Sequence, residues 1–255
     1  MSACENEVKL RLCGESHPTA GSIERLNDTF AGMRAEDRVS HALECLPGQQ
    51  VVTSSFGAQS ALMLHMLTRQ RPDVPVVLID TGYLFAETYR FVDALTERLD
   101  LNLRVFRAAV SPAWQEARYG ERWTRDRDAL EDYNREVKVE PMREALKTLD
   151  VGTWFAGLRR SQADTRRDTP YVSVVDGRFK VHPVADWSDR DVHRYLRQHD
   201  LPYHPLWEHG YLSIGDHHST RSIHEVSDAA ELRFSGIKRE CGLHEMDQLP
   251  PEPQP

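Results

Sequence analysis

The chain contains 255 residues, 40% of them hydrophobic, and carries a formal net charge of −8. This length suits one large α/β domain or two small ones, and the apolar content suffices for a buried core. The negative charge argues against a general nucleic-acid binder, although local arginines can still bind a small anion. No apolar run approaches the ~18 residues of a membrane helix, and the N-terminal segment lacks signal-peptide features, so the sequence predicts a cytoplasmic protein with no membrane contact.

Four cysteines are spread along the chain without a CxxC pair: Cys4, Cys13, Cys45 and Cys241. They are too few for a disulfide scaffold, and they lack the local ligand spacing of a four-cysteine cluster. At least one of them is therefore a candidate for a working thiol.

The first half of the chain alternates between short apolar runs and amphipathic stretches. Residues 1–48 are predicted to form a helical lead-in that serves packing or a dimer contact. The elements expected next are strands at 51–55, 75–80 and 102–108 and helices at 60–70 and 86–99. This alternation predicts βαβ units and a parallel sheet.

The second half of the chain is less regular. The elements expected there are a charged helical region at 112–149, a strand at 153–158, a hairpin at 171–184 and a helix at 188–199. The hairpin is expected to turn at Asp176 and Gly177, and the helix to be capped by Ser188. Residues 206–255 are rich in His, Gly, Ser and charge, which predicts a C-terminal tail that is partly mobile.

The first candidate site is TSSFGAQSALML at 53–64, where a strand ends in hydroxyl residues and turns into a helix. Such a turn directs backbone N–H groups at an anion, and Ser54, Ser55 and Ser60 add hydroxyl donors around Gly57. The stretch lacks the Walker lysine and the three-glycine dinucleotide pattern, so an ordinary strand-to-helix turn is the alternative. Its position after the first strand favours ligand binding, because ligands of open parallel sheets lie at the carboxyl ends of strands.

A second strand end, in VVLIDTGYLFAET at 76–88, also carries polar groups. Asp80 and Thr81 follow the buried strand, and Gly82 permits a close approach of the backbone to a ligand. The alternative is that Asp80 only caps the next helix.

A third strand end, in GLRRSQADTRR at 157–167, carries a cluster of arginines: Arg159, Arg160, Arg166 and Arg167. Guanidinium groups suit bidentate contact with phosphate or sulfate, whereas the alternative is a solvated charged face. The place of the cluster at a strand end favours anion binding.

The C-terminal stretch SGIKRECGLHEM places Cys241 beside Lys238, Arg239 and His244. Neighbouring cations favour the thiolate, which is the nucleophilic form of cysteine, although two flanking glutamates oppose this effect. From composition alone, a reactive cysteine and an incidental surface thiol both remain open.

In their order and spacing, these four stretches resemble the phosphoadenylyl-sulfate (PAPS) reductase family, in its thioredoxin-dependent, cluster-free branch. The resemblance covers about residues 50–245. Further matching segments are KVEPM (138–142), HPVADWSDRDV (182–192), YHPLWEHGYLSIGD (203–216) and KRECGLHE. The resemblance implies a three-layer α/β sandwich with a mainly parallel sheet of about five strands, similar to adenine-nucleotide α-hydrolase domains. It assigns residues 49–205 to the sulfonucleotide-binding domain and implies a homodimer.

The resemblance also implies a role for the C-terminal thiol. Cys241 would attack the sulfur of the sulfonucleotide, release adenosine 3′,5′-bisphosphate and become an S-sulfocysteine. A thiol of thioredoxin or glutaredoxin would then attack Cys241 and release sulfite, as a step of assimilatory sulfate reduction. The tail would close over the nucleotide for the first step and open for the second.

Other residues take roles by matching position. Those implied to hold the phosphate end are Ser54, Ser55, Gly57 and Ser60, and those implied to border the adenosine are Asp80, Thr81 and Gly82. The cations implied to bind phosphate or sulfate are Lys138, Arg159, Arg160 and Arg166. Those implied to close over the sulfate with the tail are Arg221, Lys238, Arg239 and His244.

Relatives that reduce adenylyl sulfate (APS) carry a [4Fe–4S] cluster on a CC pair and a CxxC segment. The matching positions here are Tyr133 and Asn134 and the segment 216–219, which reads Asp-His-His-Ser. None of these supplies a thiolate, so no bound cluster is expected and PAPS is the predicted substrate, with a cluster-free reductase of APS as the alternative. The histidines His204, His209, His217 and His218 lack the cysteine or carboxylate partners usual for zinc, so no metal site is expected.

Two other classes of protein share parts of this pattern. A PP-loop ATP pyrophosphatase would carry an SGGxDS-type loop, whereas SFGAQS lacks both the paired glycines and the aspartate. A non-catalytic nucleotide-binding module would keep the crevice and the arginines but would not use Cys241.

Overall fold

The computed structural model describes residues 20–234 of the chain. Six strands form one sheet: β1 (Gln49–Thr53), β2 (Pro75–Ile79), β3 (Asn102–Phe106), β4 (Val151–Ala156), β5 (Val172–Val175) and β6 (Arg178–Val181). Their order across the sheet is β3-β2-β1-β4-β6-β5, and only β5 and β6 pair antiparallel. The chain order therefore reverses beside β1, which makes the gap between β1 and β4 the expected ligand position of the sheet.

The helices within residues 20–234 are α1 (Ala20–Ala31), α2 (Ala35–Cys45), α3 (Ala61–Thr68), α4 (Ala86–Leu99), α5 (Pro112–Tyr119), α6 (Arg127–Asn134), α7 (Glu140–Thr148) and α8 (Asp189–Gln198). One π-helical turn, Arg135–Val139, joins α6 to α7. Short 3-10 turns fill several of the connections, for example Arg160–Gln162 after β4. None of the described helices is long and apolar enough to cross a membrane.

Helices cover both faces of the sheet. Successive strand residues point to opposite sides, so neighbouring residues of one strand pack into two different cores. Val52 of β1 belongs to a core that includes residues of α1, α2, α3, α4 and α8, whereas its neighbour Val51 packs with α7. In the same way Phe155 of β4 faces the first core and Trp154 faces the second. The predicted three-layer α/β sandwich with a mainly parallel sheet is confirmed.

An ion pair made by a buried arginine ties the first helices to the segment between β6 and α8. Arg38 of α2 is 2% exposed, and its guanidinium donates to both carboxylate oxygens of Asp186, at 2.6 and 2.9 Å. It also donates to the carbonyl oxygens of Phe30 and Pro183. Thus the described part of the lead-in packs on the sheet, while its part in a dimer contact stays a prediction.

The predicted elements agree with the structure to within a few residues, with one difference in strand number. Both strands of the hairpin join the main sheet, so it contains six strands where about five were expected. Asp176 and Gly177 form the turn with φ of 48° and 74°, as the two-residue hairpin requires. Ser188 caps α8 by accepting a hydrogen bond from the backbone N–H of Asp191.

Residues 206–234, the first part of the predicted tail, pack closely against the domain. A backbone bridge joins Asp216 to Leu84, and a second joins Thr220 to Arg233. The side chains of Asp216, Thr220 and Phe234 are buried. The domain boundary after residue 205 stays a prediction, as does the mobility of the remaining tail, which lies outside the described residues.

Candidate active site

A cavity of about 430 Å³ opens at the carboxyl ends of β1, β2 and β4. Its lining includes these predicted site residues: Ser54, Ser55, Gly57, Ser60, Thr81, Lys138, Arg159 and Arg166. The predicted residues Asp80, Gly82, Arg160 and Arg221 are described by the structure but lie outside the lining. The remaining predictions, Cys241, Lys238, Arg239 and His244, fall outside the described residues. Candidates from three separate strand ends therefore share one cavity wall.

The turn after β1 is held in a strained but well-supported shape. The fully buried Phe56 has a φ of 50°, and its backbone N–H donates to Ser54 Oγ at 3.0 Å. The backbone N–H of Ser54 donates to the Val77 carbonyl of β2 at 3.0 Å. Because non-glycine residues rarely adopt positive φ, these hydrogen bonds hold the backbone in a conformation that is unfavourable by itself.

Ser60 immediately precedes α3 and lines the cavity. Its hydroxyl oxygen is buried, and within residues 20–234 no group lies in hydrogen-bonding reach of it. A buried hydroxyl without a partner costs stability unless a ligand supplies one. Since the N-terminus of a helix also favours negative charge, the position suits an anionic ligand.

Arg159 follows β4 and is 3% exposed. Its Nη2 donates to Gln59 at 2.6 Å and to Asp189 at 2.8 Å. Its Nη1 donates to Ser161 Oγ at 3.0 Å and to the Trp187 carbonyl at 3.3 Å. The guanidinium is thus oriented at the cavity wall by the protein itself, before any ligand binds.

Two further arginines of this loop, Arg166 and Arg160, point in different directions. Arg166 is half-buried at the cavity and donates to Gln162 at 2.7 Å. Arg160 turns away, donates to the Thr169 carbonyl at 2.8 Å and lies over the Tyr171 ring at 4.6 Å. Thus Arg159 and Arg166 line the cavity, whereas Arg160 contacts the protein outside it.

Lys138, in the π-helical turn, brings a second buried cation to the cavity. Its Nζ lies 2.6 Å from Asp216 Oδ2 and donates to Asn134 Oδ1 at 3.0 Å. Thr81 donates to the other carboxylate oxygen of Asp216 at 2.5 Å. Burial opposes ionisation of Asp216, but the charge and hydrogen bonds of Lys138 and Thr81 outweigh it and lower its pKa to about 2. Asp216 is therefore ionised at neutral pH.

Asp80 and Gly82 shape the turn after β2 from outside the cavity. The Asp80 carboxylate accepts from the Gly82 backbone N–H at 2.9 Å, from Tyr89 Oη at 2.7 Å and from Arg107 Nε at 3.1 Å. Gly82 has a φ of 78°, and a Cβ there would meet Pro112 Cγ at 2.5 Å. Asp80 therefore organises its own turn, and it does not cap the next helix, whose N-cap residue is Phe85.

The two segments at which cluster-bearing relatives carry cysteines lie side by side. Tyr133 Oη lies 3.2 Å from Asp216 Oδ2 and 3.1 Å from His218 Nε2. The His218 ring stacks on Trp123, with centroids 3.8 Å apart. Within residues 20–234, no group of three or more His, Cys, Asp or Glu side chains is placed to hold a metal ion. Polar and aromatic groups pack together at this position.

Sequence reasoning missed the partners that orient the two buried cations. Gln59 lies inside the first quoted stretch, Asp189 begins α8, and Asp216 ends the matching segment at 203–216. A buried arginine or lysine requires such acceptors, but the sequence pattern does not identify which ones meet it.

The fold and the cavity together define an α/β protein with a site suited to an anionic ligand at the switch point of its sheet. A turn leading into a helix N-terminus, a buried arginine and a buried lysine converge there, each from a different part of the chain. Such a site suits a nucleotide with more than one anionic group.

Comparison with known proteins identifies the family within this class. Residues 49–222 match the model of the phosphoadenosine phosphosulfate reductase domain. Phosphoadenosine 5′-phosphosulfate reductase of Zymomonas mobilis is 58% identical over 224 residues, which cover 88% of this chain and 92% of that protein. The enzyme of the same name from Shewanella oneidensis is 52% identical over 239 residues, covering 94% of this chain and 98% of that protein. The chain belongs to the phosphoadenosine phosphosulfate reductase family and is an oxidoreductase.

Solved structures agree with this assignment. The phosphate complex of phosphoadenylyl-sulfate reductase from Candida auris superposes with a TM-score of 0.71 at 28% identity, covering 82% of this chain and 100% of that one. FMN adenylyltransferase of Candida glabrata superposes with a TM-score of 0.56 at 13% identity, covering 97% of this chain and 82% of that one. The second likeness concerns the fold alone.

Proposed function

We propose that this protein reduces PAPS to sulfite and adenosine 3′,5′-bisphosphate, with Cys241 as nucleophile and thioredoxin or glutaredoxin as electron donor. The observation that carries the proposal is the cavity at the switch point, which is lined by Arg159 and Lys138, each held by an acidic partner, and by Ser60. Within residues 20–234 the Ser60 hydroxyl has no hydrogen-bond partner. The names of the relatives support PAPS as the substrate. No bound cofactor takes part in this reaction.

In the first step, the Cys241 thiolate attacks the sulfur of the sulfonucleotide. An S–S bond forms, the bond from that sulfur to the bridging oxygen breaks, and adenosine 3′,5′-bisphosphate leaves with the electron pair. Both reactants are anionic, so cations must hold the substrate beside the thiolate. Arg159, Arg166 and Lys138 line the cavity and would supply these cations.

In the second step, a thiolate of the donor protein attacks Sγ of the S-sulfocysteine and sulfite leaves. The mixed disulfide is then resolved by the second thiol of the donor, which restores Cys241 and leaves the donor as a disulfide. The two electrons that reduce sulfate to sulfite therefore come from the donor dithiol. The proposed tail movement lets one thiol meet the nucleotide first and the donor protein second.

The chain length between the cavity and Cys241 permits this route. Leu232 and Arg233 line the cavity, and Cys241 follows the last described residue, Phe234, by seven positions. A fully extended chain covers about 3.4 Å per residue, so this segment reaches up to about 24 Å. That distance allows both a closed and an open position of the thiol.

The test is sulfite release by the purified protein, supplied with reduced thioredoxin and either PAPS or APS. We expect release from PAPS, with no iron found by metal analysis. Release mainly from APS would keep the chemistry and overturn the substrate, and release from neither would contradict the proposal.

Cys241→Ser separates the reductase from a binding module. This variant is expected to bind adenosine 3′,5′-bisphosphate normally and to release no sulfite, with Cys45→Ser as the matched control that keeps activity. Full activity of the Cys241→Ser variant would exclude the proposed nucleophile. The homodimer also belongs to the proposal, and light scattering of the purified chain tests it.

A further inference from the structure

We propose that Asp216 is a positioning residue, which holds the ammonium of Lys138 at the cavity wall so that it contacts an anionic group of the nucleotide. This inference rests on the proposed function, because it takes the ligand to be a sulfonucleotide. In this role Asp216 acts through Lys138 and does not itself bind the anionic group of the ligand.

The carboxylate of Asp216 is surrounded by donors from separate parts of the chain. It is 1% exposed, and it accepts from Thr81 at the end of β2 and from Tyr133 of α6 as well as from Lys138. The bridge between Asp216 and Leu84 holds the backbone of this segment in place. A carboxylate held from so many directions gives Lys138 a fixed partner.

Asp216 also lines the cavity, but its carboxylate repels the anionic groups of the nucleotide, because two negative charges in a buried site repel each other. Lys138 is different, since an ammonium has three donors and the hydrogen bonds to Asp216 and Asn134 use two of them. Its side chain is 7% exposed and lines the cavity. The third donor is therefore the one available to a ligand.

The local helix geometry supports the same arrangement. Lys138 lies in the π-helical turn Arg135–Val139, which interrupts an otherwise continuous helical stretch from α6 to α7. Single π-helical turns occur often at functional sites, because the additional residue redirects the side chains around it. Here the turn places Lys138 at the cavity and within 2.6 Å of Asp216, which also lines the cavity.

Removing the carboxylate is expected to undo this placement. Without Asp216 the ammonium would be buried beside neutral partners only, which is unfavourable, so the lysine side chain would leave its position. Loss of the Asp216 charge should therefore weaken nucleotide binding only as long as Lys138 is present.

The experiment is a double-mutant cycle of Asp216→Asn and Lys138→Met, read by calorimetry with adenosine 3′,5′-bisphosphate as the probe. We expect each single change to weaken binding by on the order of 10-fold. Adding Asp216→Asn to the Lys138→Met variant is expected to change affinity by less than about 2-fold. Calorimetry also gives the number of sites per chain, which separates a loss of affinity from a loss of folded protein.

Asp186→Asn is the matched control, because Asp186 forms a buried-arginine ion pair with Arg38 outside the cavity lining. It is expected to lower the unfolding midpoint and leave probe affinity unchanged. Tyr133→Phe is a milder second variant that keeps the Asp216 carboxylate and removes one of its donors. It is expected to weaken binding about 2-fold, and only when Lys138 is present.

An equal loss of affinity from Asp216→Asn in both backgrounds would overturn the proposal, since a merely structural role gives additive effects. Unchanged binding in the Lys138→Met variant would overturn it as well. The double-mutant cycle measures binding and needs no turnover, whereas the proposed function is tested by sulfite release. The role of Asp216 and the reductase activity can therefore fail independently of each other.

Discussion

Arg159 and Asp189 form an ion pair in which the arginine side chain is 4% exposed and the carboxylate is 77% exposed. The Nη2 to Oδ1 distance is 2.8 Å, and the same nitrogen donates to Gln59. The guanidinium is thus fixed from the solvent side and from the turn after β1. Fixing it in advance lowers the ordering cost when an anion binds.

Arg159→Ala is expected to lower kcat/KM for PAPS by about 10- to 100-fold, because charge-assisted hydrogen bonds to an anion contribute about 1.5–3 kcal/mol. Arg160→Ala is the matched control, since its guanidinium binds the Thr169 carbonyl outside the cavity lining. That change is expected to reduce the unfolding midpoint with little effect on kcat/KM. Steady-state sulfite release measures both, and equal losses in the two variants would contradict the assignment.

Ser60→Ala is expected to keep or raise the free energy of unfolding in the absence of ligand, because its buried hydroxyl has no partner within residues 20–234. Binding of adenosine 3′,5′-bisphosphate should weaken by about 10-fold when that donor is removed. Urea unfolding and calorimetry measure the two quantities. Binding that is unaffected by the change would show that Ser60 does not meet the ligand.

Ser54→Ala, in contrast to Ser60→Ala, is expected to lower the free energy of unfolding. The Ser54 hydroxyl accepts from the Phe56 backbone N–H and so supports the strained turn. Its removal is expected to cost about 1 kcal/mol of folding free energy. The two serines thus separate support of the turn from contact with the ligand.

Gly82→Ala is expected to destabilise the protein by about 2 kcal/mol or more, for two reasons. The φ of 78° is unfavourable for alanine, and the added Cβ would lie only 2.5 Å from Pro112 Cγ. Gly177→Ala is the control at a similar φ of 74°, where no atom lies within 4 Å of the added Cβ. Its cost should be smaller, at about 1 kcal/mol. Equal unfolding midpoints for the two variants would exclude the steric contribution.

Stability is expected to fall as the pH decreases from about 6.5 to 4. Burial lowers the pKa of His204 from 6.5 to about 4, and its Nδ1 accepts from the Leu206 backbone N–H, which requires the neutral ring. Because the unfolded chain binds the proton more readily, this contribution is complete above pH 6.5 and is lost as the pH falls toward 4. Burial lowers the pKa of His65 to about 4 as well.

Urea unfolding of the protein and of His204→Gln between pH 7 and pH 4.5 measures this effect. The variant is expected to be less stable at pH 7 and to show a shallower loss of stability toward acidic pH. Identical slopes in the two proteins would mean that His204 does not carry the dependence.

Much of the architecture follows from local sequence. Ser188 with Asp191 begins α8, Asp176 and Gly177 turn the hairpin, and alternating apolar runs predict the parallel strands. These signals work because capping, turn conformation and hydrophobic period act over a few residues. The same locality explains why the number of strands differed, since pairing of β5 and β6 with the main sheet depends on distant partners.

The sequence by itself determined the strand ends that carry serine, threonine and arginine, and their resemblance to one family of reductases. Only the tertiary structure decided which of these side chains share a cavity. Arg159 and Arg160 are adjacent in the chain, yet one lines the cavity and the other binds a supporting loop. Lys138 likewise depends on Asp216, which the chain places far along the sequence. The physical reason is that a buried charge is held by whichever acceptors folding brings to it, and sequence spacing does not specify them.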